Sequence, residues 1–229
     1  MTKLSPSLLA NGFPFEFGIR AALALAFAVY AGTCFKEAFV QFGTVDFSPP
    51  DAAFFTGDLA VISIGLFSLM IAFLYALRLR PVRRASGALP RAAAFLGGFS
   101  MFGVLLLDRR TDLPIVAQMS ASLLILAGNG FALYILSHLG RSFSILPESR
   151  ELVTTGPYRF VRHPLYLAEA IAMTGVLIEF LSPVAVLLFL THCAFQIVRI
   201  HYEEDILRQT FPHYEIYAAR TCRYIPLVY

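Results

Sequence analysis

Charged residues are scarce in this chain. They make up 14% of its 229 residues, whereas apolar types make up 58% and the mean hydropathy is +0.69. Soluble globular domains carry about 25% charged residues, so the composition excludes an ordinary soluble protein. The net charge is only +3, and the basic residues stand beside apolar segments, as membrane topology requires. We therefore expect one polytopic protein of the lipid bilayer, with no nucleic-acid partner.

Cysteines are few as well, and internal repeats are absent. Cys34, Cys193 and Cys222 lie far apart in the sequence, which matches neither a disulfide framework nor the spacing of a zinc site. We interpret them as small core residues and predict no metal site. The chain also lacks the paired broken helices or repeats that would favour a transporter.

Long apolar runs are what the chain has in abundance. The first is expected to be a retained span rather than a signal peptide, because Glu16 and a long upstream stretch precede its apolar core. The pattern predicts an all-α, polytopic transmembrane helical bundle of about six spans. The six segments are Phe17–Phe35, Asp58–Leu77, Ala92–Leu107, Leu113–Leu136, Pro164–Leu181 and Pro183–Ile200.

The arginines predict the orientation of these spans. Arginines crowd the segments that follow the second, fourth and sixth spans, whereas Asp46 and Asp51 follow the first. Positively charged loops stay on the cytoplasmic side. We therefore predict a multi-pass protein with both termini, and the long segment 137–163, in the cytoplasm.

The last two predicted spans form a hairpin. Only Ser182-Pro183 separates them, so they must be antiparallel neighbours. The stretches from His163 to Ser182 and from Pro183 to Glu203 span roughly 28 and 30 Å as helices. The returning helix thus brings a second charged cluster back to the level of the first, which predicts one polar pocket at the cytoplasmic side. The two clusters are Arg162 with His163, and Arg199 with Glu203 and Glu204.

Each part of this pocket also has an ordinary structural interpretation. Arg199 with Glu203, and Glu204 with Arg208, are i,i+4 pairs that could simply stabilise a helix. His163 could be a helix cap. In the functional interpretation, the free N–H groups of the helix that begins at Pro164 bind an anion, and the glutamates bind a cation. S-adenosylmethionine, a zwitterionic lipid and a peptide all suit such a pocket.

Several motifs between residues 137 and 226 resemble those of the isoprenylcysteine carboxyl methyltransferases, and the related phospholipid N-methyltransferases share the glutamate pair. Ala168 stands where a small residue is usual, so close helix packing is expected there, and Pro212 replaces a common glycine. The motifs are Leu139-Gly140-Arg141-Ser142-Phe143-Ser144, Leu152-Val153-Thr154-Thr155-Gly156-Pro157-Tyr158-Arg159, Arg162-His163-Pro164-Leu165-Tyr166, Glu203-Glu204, Phe211, Tyr214, Tyr217 and Arg223-Tyr224-Ile225-Pro226.

The resemblance implies an integral membrane methyltransferase that uses S-adenosylmethionine and a lipid-like or prenylated acceptor, with O-methylation of a carboxylate favoured. It divides the chain into four N-terminal spans, 1–136, and a catalytic region, 137–229, whose hairpin and interfacial tail form the cofactor pocket. Arg199 would orient the acceptor, and Glu203 is a candidate base if the acceptor is an amine. The implied cofactor-binding residues are Leu152, Val153, Tyr158, Arg162, His163, Pro164, Tyr166 and Glu204.

An alternative comes from another reaction class. Membrane sterol-type reductases that use NADPH carry a similar Arg-His-Pro motif followed by a glutamate. This chain has Leu165 where they have asparagine, but it keeps Glu169. The Glu203-Glu204 pair and the Gly-Pro-Tyr-Arg sequence favour the methyltransferase. A third interpretation, a non-catalytic membrane scaffold, predicts that no cofactor binds.

Overall fold

A computed structural model describes residues 13–43 and 52–225 of the protein. This part of the chain is mostly helical and has almost no sheet, which confirms the predicted all-α class. The predicted acidic loop with Asp46 and Asp51 lies outside the described residues. The helices are α1 (Phe13–Gly43), α2 (Ala52–Leu77), α3 (Ala88–Phe99), α4 (Ile115–Leu139), α5 (Pro164–Glu179), α6 (Pro183–Thr210) and α7 (Tyr214–Ala218).

Five helical segments in the described part are long and apolar enough to cross a membrane, which supports an integral membrane protein. The fifth predicted span, Pro164–Leu181, forms α5, which has 16 residues and is therefore about 24 Å long. The chain leaves the helical conformation at Phe180, and Ser182 is extended, as expected for the residue before a proline. The five candidate spans are Gly18–Phe42, Gly57–Leu77, Ala88–Leu106, Ile115–Ser142 and Pro183–Thr210.

The third candidate span is not a uniform α-helix. After Phe99 the chain tightens into a 3-10 helix over Ser100–Leu106. Gly97 and Gly98 precede this change, and glycine is a poor helix former that leaves the backbone free to change its winding. The short α3 therefore supplies a thin wall of small residues beside α6, against which it packs.

The two helices of the hairpin, α5 and α6, pack against different neighbours rather than against each other. Helix α5 packs mainly against α4, and α4 packs against α2, whereas α6 packs mainly against α3. Contacts between α5 and α6 themselves are few. The two predicted neighbours therefore share little of their surface, although a few polar contacts such as that of Gln196 with Glu169 (2.6 Å) join them.

One end of the bundle carries most of the connecting backbone structure. We call it the arginine-rich end, defined by residues 78–91, 140–163 and 208–225. A two-residue strand β1 (Arg83–Arg84) pairs antiparallel with β2 (Glu148–Ser149) at this end. Residue Cys222 forms a parallel bridge with Val161. These short pairings hold the loops and the tail of the chain over the end of the hairpin.

Helices α4 and α5 approach so closely that only small residues fit between them. A Cβ atom added to Gly128 would lie 2.5 Å from the backbone nitrogen of Ala172, and one added to Gly175 would lie 2.5 Å from the carbonyl oxygen of Ala121. Ala168 is completely buried in the same contact. The close packing expected around Ala168 is therefore present, and it is of the small-residue kind that joins membrane helices.

This contact predicts opposite effects for one substitution at two nearby sites. Gly128→Ala should destabilise the protein by about 1–3 kcal/mol, because the added methyl overpacks a backbone contact that has no room to move. Gly130→Ala is the matched control, since its Cβ meets nothing within 4 Å. That control should be neutral or slightly stabilising, because alanine is the better helix former.

The measurement is the midpoint of thermal unfolding of the purified protein in detergent. A midpoint that falls for Gly128→Ala and holds for Gly130→Ala agrees with the packing. Equal midpoints for the two variants would contradict it.

Candidate active site at the arginine-rich end

The site begins where α5 starts. Pro164 is its first residue, and His163 occupies the N-cap position but makes no side-chain capping bond. Its ring turns to α6 instead, where Nε2 lies 3.3 Å from Oε1 of Glu204. His163 therefore stands at the predicted cap position, but its side chain does not make the hydrogen bond of an ordinary cap. The hairpin does bring the His163 region level with the glutamates of α6, as helix lengths predicted.

Glu204 is the most heavily paired residue of the site. Its side chain is 1% exposed. Oε1 lies 3.4 Å from Nε of Arg162 as well as beside His163, and Oε2 lies 3.1 Å from Nη2 of both Arg208 and Arg223. A buried carboxylate is stable only when its charge is compensated, and here up to four cationic groups compensate it.

The tail of the chain is locked onto the same place by backbone hydrogen bonds. The N–H of Arg162 donates to the carbonyl of Cys222 (2.9 Å), the N–H of His163 donates to that of Arg223 (3.2 Å), and the N–H of Cys222 donates to that of Phe160 (3.0 Å). The tail therefore pairs with residues 160–163 like a short strand, and it brings Arg223 to Glu204.

Two tyrosines of the tail reach into the site. Tyr214 is 1% exposed, and the hydroxyl of Tyr217 donates to the carbonyl of Tyr158 (2.7 Å). Burial raises the pKa of Tyr217 to about 12, so its hydroxyl stays protonated and keeps this bond at neutral pH. Since Tyr214 packs inside the protein, the tail at this point is part of the site rather than only an interfacial anchor.

Glu203 faces a different direction from Glu204, because adjacent residues on a helix point about 100° apart. It accepts a hydrogen bond from the hydroxyl of Tyr166. Nη2 of Arg199 lies 3.7 Å and Nδ1 of His163 lies 4.0 Å from its carboxylate oxygens. The negative charge of Glu203 is therefore only partly compensated by Arg199, and the Glu203 side chain remains 21% exposed.

Arg199 is held rigidly inside the bundle. Its Nη1 donates to Oε1 of Gln196 and its Nη2 to the carbonyl of Ile145, both at 2.9 Å. Its guanidinium carbon lies 4.8 Å from the centre of the Tyr166 ring. Gly97 makes room for it, since a Cβ there would lie 2.9 Å from Arg199 Cδ. Nε of Arg199 is buried and has no hydrogen-bond partner within the described residues.

Two cavities open around these residues. The first, which we call the polar cavity, has a volume of about 110 Å³ and lies among the loop, α6 and the tail. Besides apolar residues its lining includes Glu148, Arg150, Glu151, Tyr214 and Tyr217. The second, the apolar cavity, has a volume of about 190 Å³ and runs between the helices. Its lining is mostly apolar and includes Phe27, Phe67, Ile71, Phe143 and Met173.

The two cavities share part of their walls, so they adjoin each other there, and we call this shared wall the meeting point. The meeting point lies at the arginine-rich end, where the start of α5 faces the last part of α6, and it carries both cationic and anionic side chains. A polar molecule in one cavity and an apolar molecule in the other would face each other there. The residues that line both cavities are Leu139, Ser144, Tyr158, Arg162, His163 and Glu203.

The structure brings all the predicted site residues into one region, at different positions. Leu152 and Val153 line the polar cavity, and Tyr166 and Arg199 line the apolar cavity. Pro164 and Glu204 line neither cavity and lie buried behind the shared wall. The remaining predicted residues, Tyr158, Arg162, His163 and Glu203, line both.

Sequence reasoning missed one arginine and one glycine. Arg150 is fully buried, its Nη2 lies 2.5 Å from Oε2 of Glu148, and it lines the polar cavity. In the sequence, Arg150 is one of many loop arginines, and these predict only the orientation of the spans. Gly156 has a left-handed φ of 60°, and a Cβ there would collide with the ring of His138. Glycine is the residue that tolerates this conformation, so the Gly-Pro-Tyr-Arg turn depends on it.

Comparison with known proteins agrees with this geometry. The phospholipid methyltransferase family model matches residues 116–213, which include nearly all of α4, the whole loop 140–163, α5 and α6. The predicted resemblance to this membrane methyltransferase family is confirmed. The comparisons give no support to the reductase alternative.

Three relatives extend the comparison. Over 81 residues the chain is 36% identical to the nickel-cobalt-cadmium resistance protein NccN of Alcaligenes xylosoxydans xylosoxydans, covering 34% of the chain and 38% of that protein. The cobalt-zinc-cadmium resistance protein CzcN of Cupriavidus metallidurans is 35% identical over 81 residues, which are 34% of the chain and 37% of that protein. Protein-S-isoprenylcysteine O-methyltransferase B of Arabidopsis thaliana is 35% identical over 96 residues, covering 39% of the chain and 49% of that protein.

These matches cover less than half of each relative. The names of the first two refer to metal resistance. Within residues 13–43 and 52–225, no group of three or more His, Cys, Asp or Glu side chains could hold a metal ion.

The Glu204 cluster predicts that neutralising one carboxylate loosens the tail. Glu204→Gln leaves the surrounding cations without a counter-charge, so it should lower the free energy of unfolding by about 3 kcal/mol. In a protein with Cys34 and Cys193 replaced by alanine, Cys222 is the one remaining thiol. We expect maleimide to label Cys222 faster in the variant, as its backbone bonds to residues 160–162 open more often.

The matched control is Glu215→Gln, because Glu215 pairs with Arg208 at a 70% exposed position. Exposed pairs of this kind contribute little. It should leave both the unfolding midpoint and the labelling rate unchanged. A labelling rate for Glu204→Gln equal to that of the control would show that the cluster does not hold the tail.

Proposed function

We propose that the protein is an integral membrane methyltransferase that uses S-adenosylmethionine and acts on a lipid-like acceptor, with O-methylation of a carboxylate favoured. The observation that carries this proposal is the shared wall of the polar and apolar cavities. A methyl group passes from donor to acceptor by in-line displacement, so the two molecules must meet in one geometry with water excluded. The meeting point of the cavities suits that requirement.

The polar cavity fits the charges of S-adenosylmethionine, which supplies an electrophilic methyl group when bound. Nη1 of Arg150 and the hydroxyl of Tyr214 are buried there without hydrogen-bond partners in the described part of the chain. These N–H and O–H donors suit a carboxylate. Leu152, Val153 and the face of Tyr158 suit an apolar or aromatic part of the cofactor.

The two adjacent glutamates take different parts in this proposal. Glu203 lines both cavities and is better placed than Glu204 to face the ammonium or sulfonium. Tyr166 helps, because aromatic faces attract such cations. Glu204 acts through others: it holds Arg162 and His163 in the shared wall. Pro164 fixes the start of α5 behind them.

Arg199 is proposed to bind the acceptor. It lines the apolar cavity, and its unpartnered Nε offers a charge-assisted hydrogen bond to an incoming carboxylate. A carboxylate is already ionised at neutral pH, so it needs no base before it attacks the methyl group. If the acceptor were an amine, Glu203 or His163 would have to remove a proton.

The proposed division of the chain gives the N-terminal spans, 1–136, the task of shaping the acceptor. Phe27, Phe67 and Ile71 from these spans line the apolar cavity, whereas residues 137–229 supply most of the polar cavity. We also propose that the arginine-rich end faces the cytoplasm. A polar cofactor then enters from water, and the apolar acceptor enters from the bilayer.

The first test of the cofactor is a calorimetric titration of the detergent-purified protein with S-adenosylmethionine and, separately, with NADPH. We expect saturable binding of S-adenosylmethionine and none of NADPH. Binding of NADPH alone would overturn the proposal.

The proposal predicts that Arg199→Ala separates cofactor binding from turnover. Loss of the guanidinium should leave the affinity for S-adenosylmethionine within a few-fold, because Arg199 lines only the apolar cavity. The rate of methyl transfer should fall by about 100-fold, since the acceptor is no longer oriented. The measurement counts labelled methyl groups that move from S-adenosylmethionine into the organic phase of a membrane lipid extract.

Arg109→Ala serves as the control, because Arg109 lies at the opposite end of α5, where its Nη2 is 2.8 Å from Oε1 of Glu179. It should keep full turnover. Release of labelled methanol by mild base identifies a methyl ester, whereas a base-stable label identifies an amine acceptor. Equal turnover in Arg199→Ala and the wild type would remove Arg199 from the proposed site.

A further inference from the structure

Deep in the apolar cavity, a histidine stands without a partner. His192 is 3% exposed and lines the cavity, and neither of its ring nitrogens has a hydrogen-bond partner within the described residues. The carbonyl of Gly97 approaches the ring without completing a hydrogen bond. Even a bond to Gly97 would leave the second nitrogen unsatisfied. A buried polar group without a hydrogen-bond partner lowers the stability of a protein by about 1–3 kcal/mol. A ligand that forms a hydrogen bond with His192 would remove this cost.

His192 is one of three polar residues that line the cavity at a similar depth. Asn129 and Ser68 are also buried, 5% and 2% exposed, and lie on two other helices. The bond from Nδ2 of Asn129 to the hydroxyl of Ser63 (3.1 Å) uses only one of its two amide hydrogens. Away from the charged residues at its arginine-rich end, the mostly apolar cavity therefore carries hydrogen-bonding groups from α2, α4 and α6.

Helix geometry gives the depth of these groups. His192 precedes Glu203 by eleven residues on α6, which is roughly 16 Å of helix. Asn129 precedes Leu139 by ten residues on α4, roughly 15 Å, and Ser68 precedes Leu77 by nine residues on α2, roughly 13 Å. Glu203 and Leu139 both line the meeting point of the cavities. Leu77 lies beside the same end, because its carbonyl accepts a hydrogen bond from Nε of Arg141 (2.8 Å). The three polar groups therefore lie about 13–16 Å of helix away from the arginine-rich end.

We propose that the apolar cavity recognises an acceptor whose chain carries a hydroxyl or carbonyl oxygen about 13–16 Å from its methylated group, bound by His192 and Asn129. The placement of the methylated group rests on the proposed function, whereas the deep polar site does not. An unbroken hydrocarbon chain would leave the histidine unpaired. A chain with an oxygen at this depth satisfies it, so the site selects amphiphiles with an internal polar group.

The test uses two probes that differ by one oxygen. Octadecanoic acid is an unbroken chain, whereas 12-hydroxyoctadecanoic acid carries a hydroxyl at about the required distance from its carboxylate. Equilibrium binding of each radiolabelled acid is measured on the full chain in lipid nanodiscs, with empty nanodiscs subtracted and no methyl donor present. We expect the wild type to bind the hydroxy acid roughly tenfold more tightly, as one added buried hydrogen bond permits.

Two variants assign the preference to the site. His192→Phe keeps a ring of similar size without nitrogen, and it should bind the two acids equally. Thr191→Val is the matched control, because Thr191 bonds the carbonyl of Leu187 (2.8 Å) and does not line the cavity. The control should keep the wild-type preference.

The proposal is overturned if the wild type binds both acids equally, if it binds neither, or if His192→Phe keeps the preference. The wild-type comparison needs no variant to fold, so a poorly folded His192→Phe protein leaves the test intact. Failure of methyl transfer has no bearing on this binding measurement. Failure of the proposed function is seen separately, in the titration with S-adenosylmethionine.

Discussion

The structure depends on one buried charge, the carboxylate of Glu204. Its cationic partners come from three parts of the chain: Arg162 and His163 from the loop, Arg208 from α6, and Arg223 from the tail. A carboxylate without cationic partners would be too costly to bury. A single arginine–carboxylate ion pair on the surface would contribute little to stability. Their mutual dependence is what makes three separate segments converge, and the wall of the polar cavity is built from those segments.

The sequence alone does not show which glutamate of the pair faces the cavities. The helix geometry does, because it points the two side chains in different directions. Glu204 points into the protein, where its ion pairs join the loop, α6 and the tail. Glu203 is turned to the meeting point of the cavities, where Tyr166 donates to it and Arg199 and His163 lie nearby. The division follows from the 100° step between neighbours on a helix. One residue of the pair is therefore buried in an ion-pair cluster while the other lines both cavities.

The parts of the site that sequence predicted are those governed by helix length. Hydrophobic runs located the spans, and the 1.5 Å rise placed His163 beside the glutamates of α6. The tail's backbone pairing with residues 160–163 has no periodicity and left no signal. Arg150 and His192 were equally hidden, because a single polar residue in a loop or an apolar run looks like topology or core until its neighbours are known. The membrane orientation of the arginine-rich end remains a prediction.

The pairing of the tail also sets the order in which the site is assembled. During synthesis the helices from α1 to α6 emerge before Cys222 and Arg223, so residues 160–163 first exist with unpaired backbone groups and Glu204 lacks part of its counter-charge. A chain stopped before Arg223 would contain every helix of the bundle and still lack the lock that closes the polar cavity. Completion of the tail is therefore the step at which a helical bundle becomes a finished site.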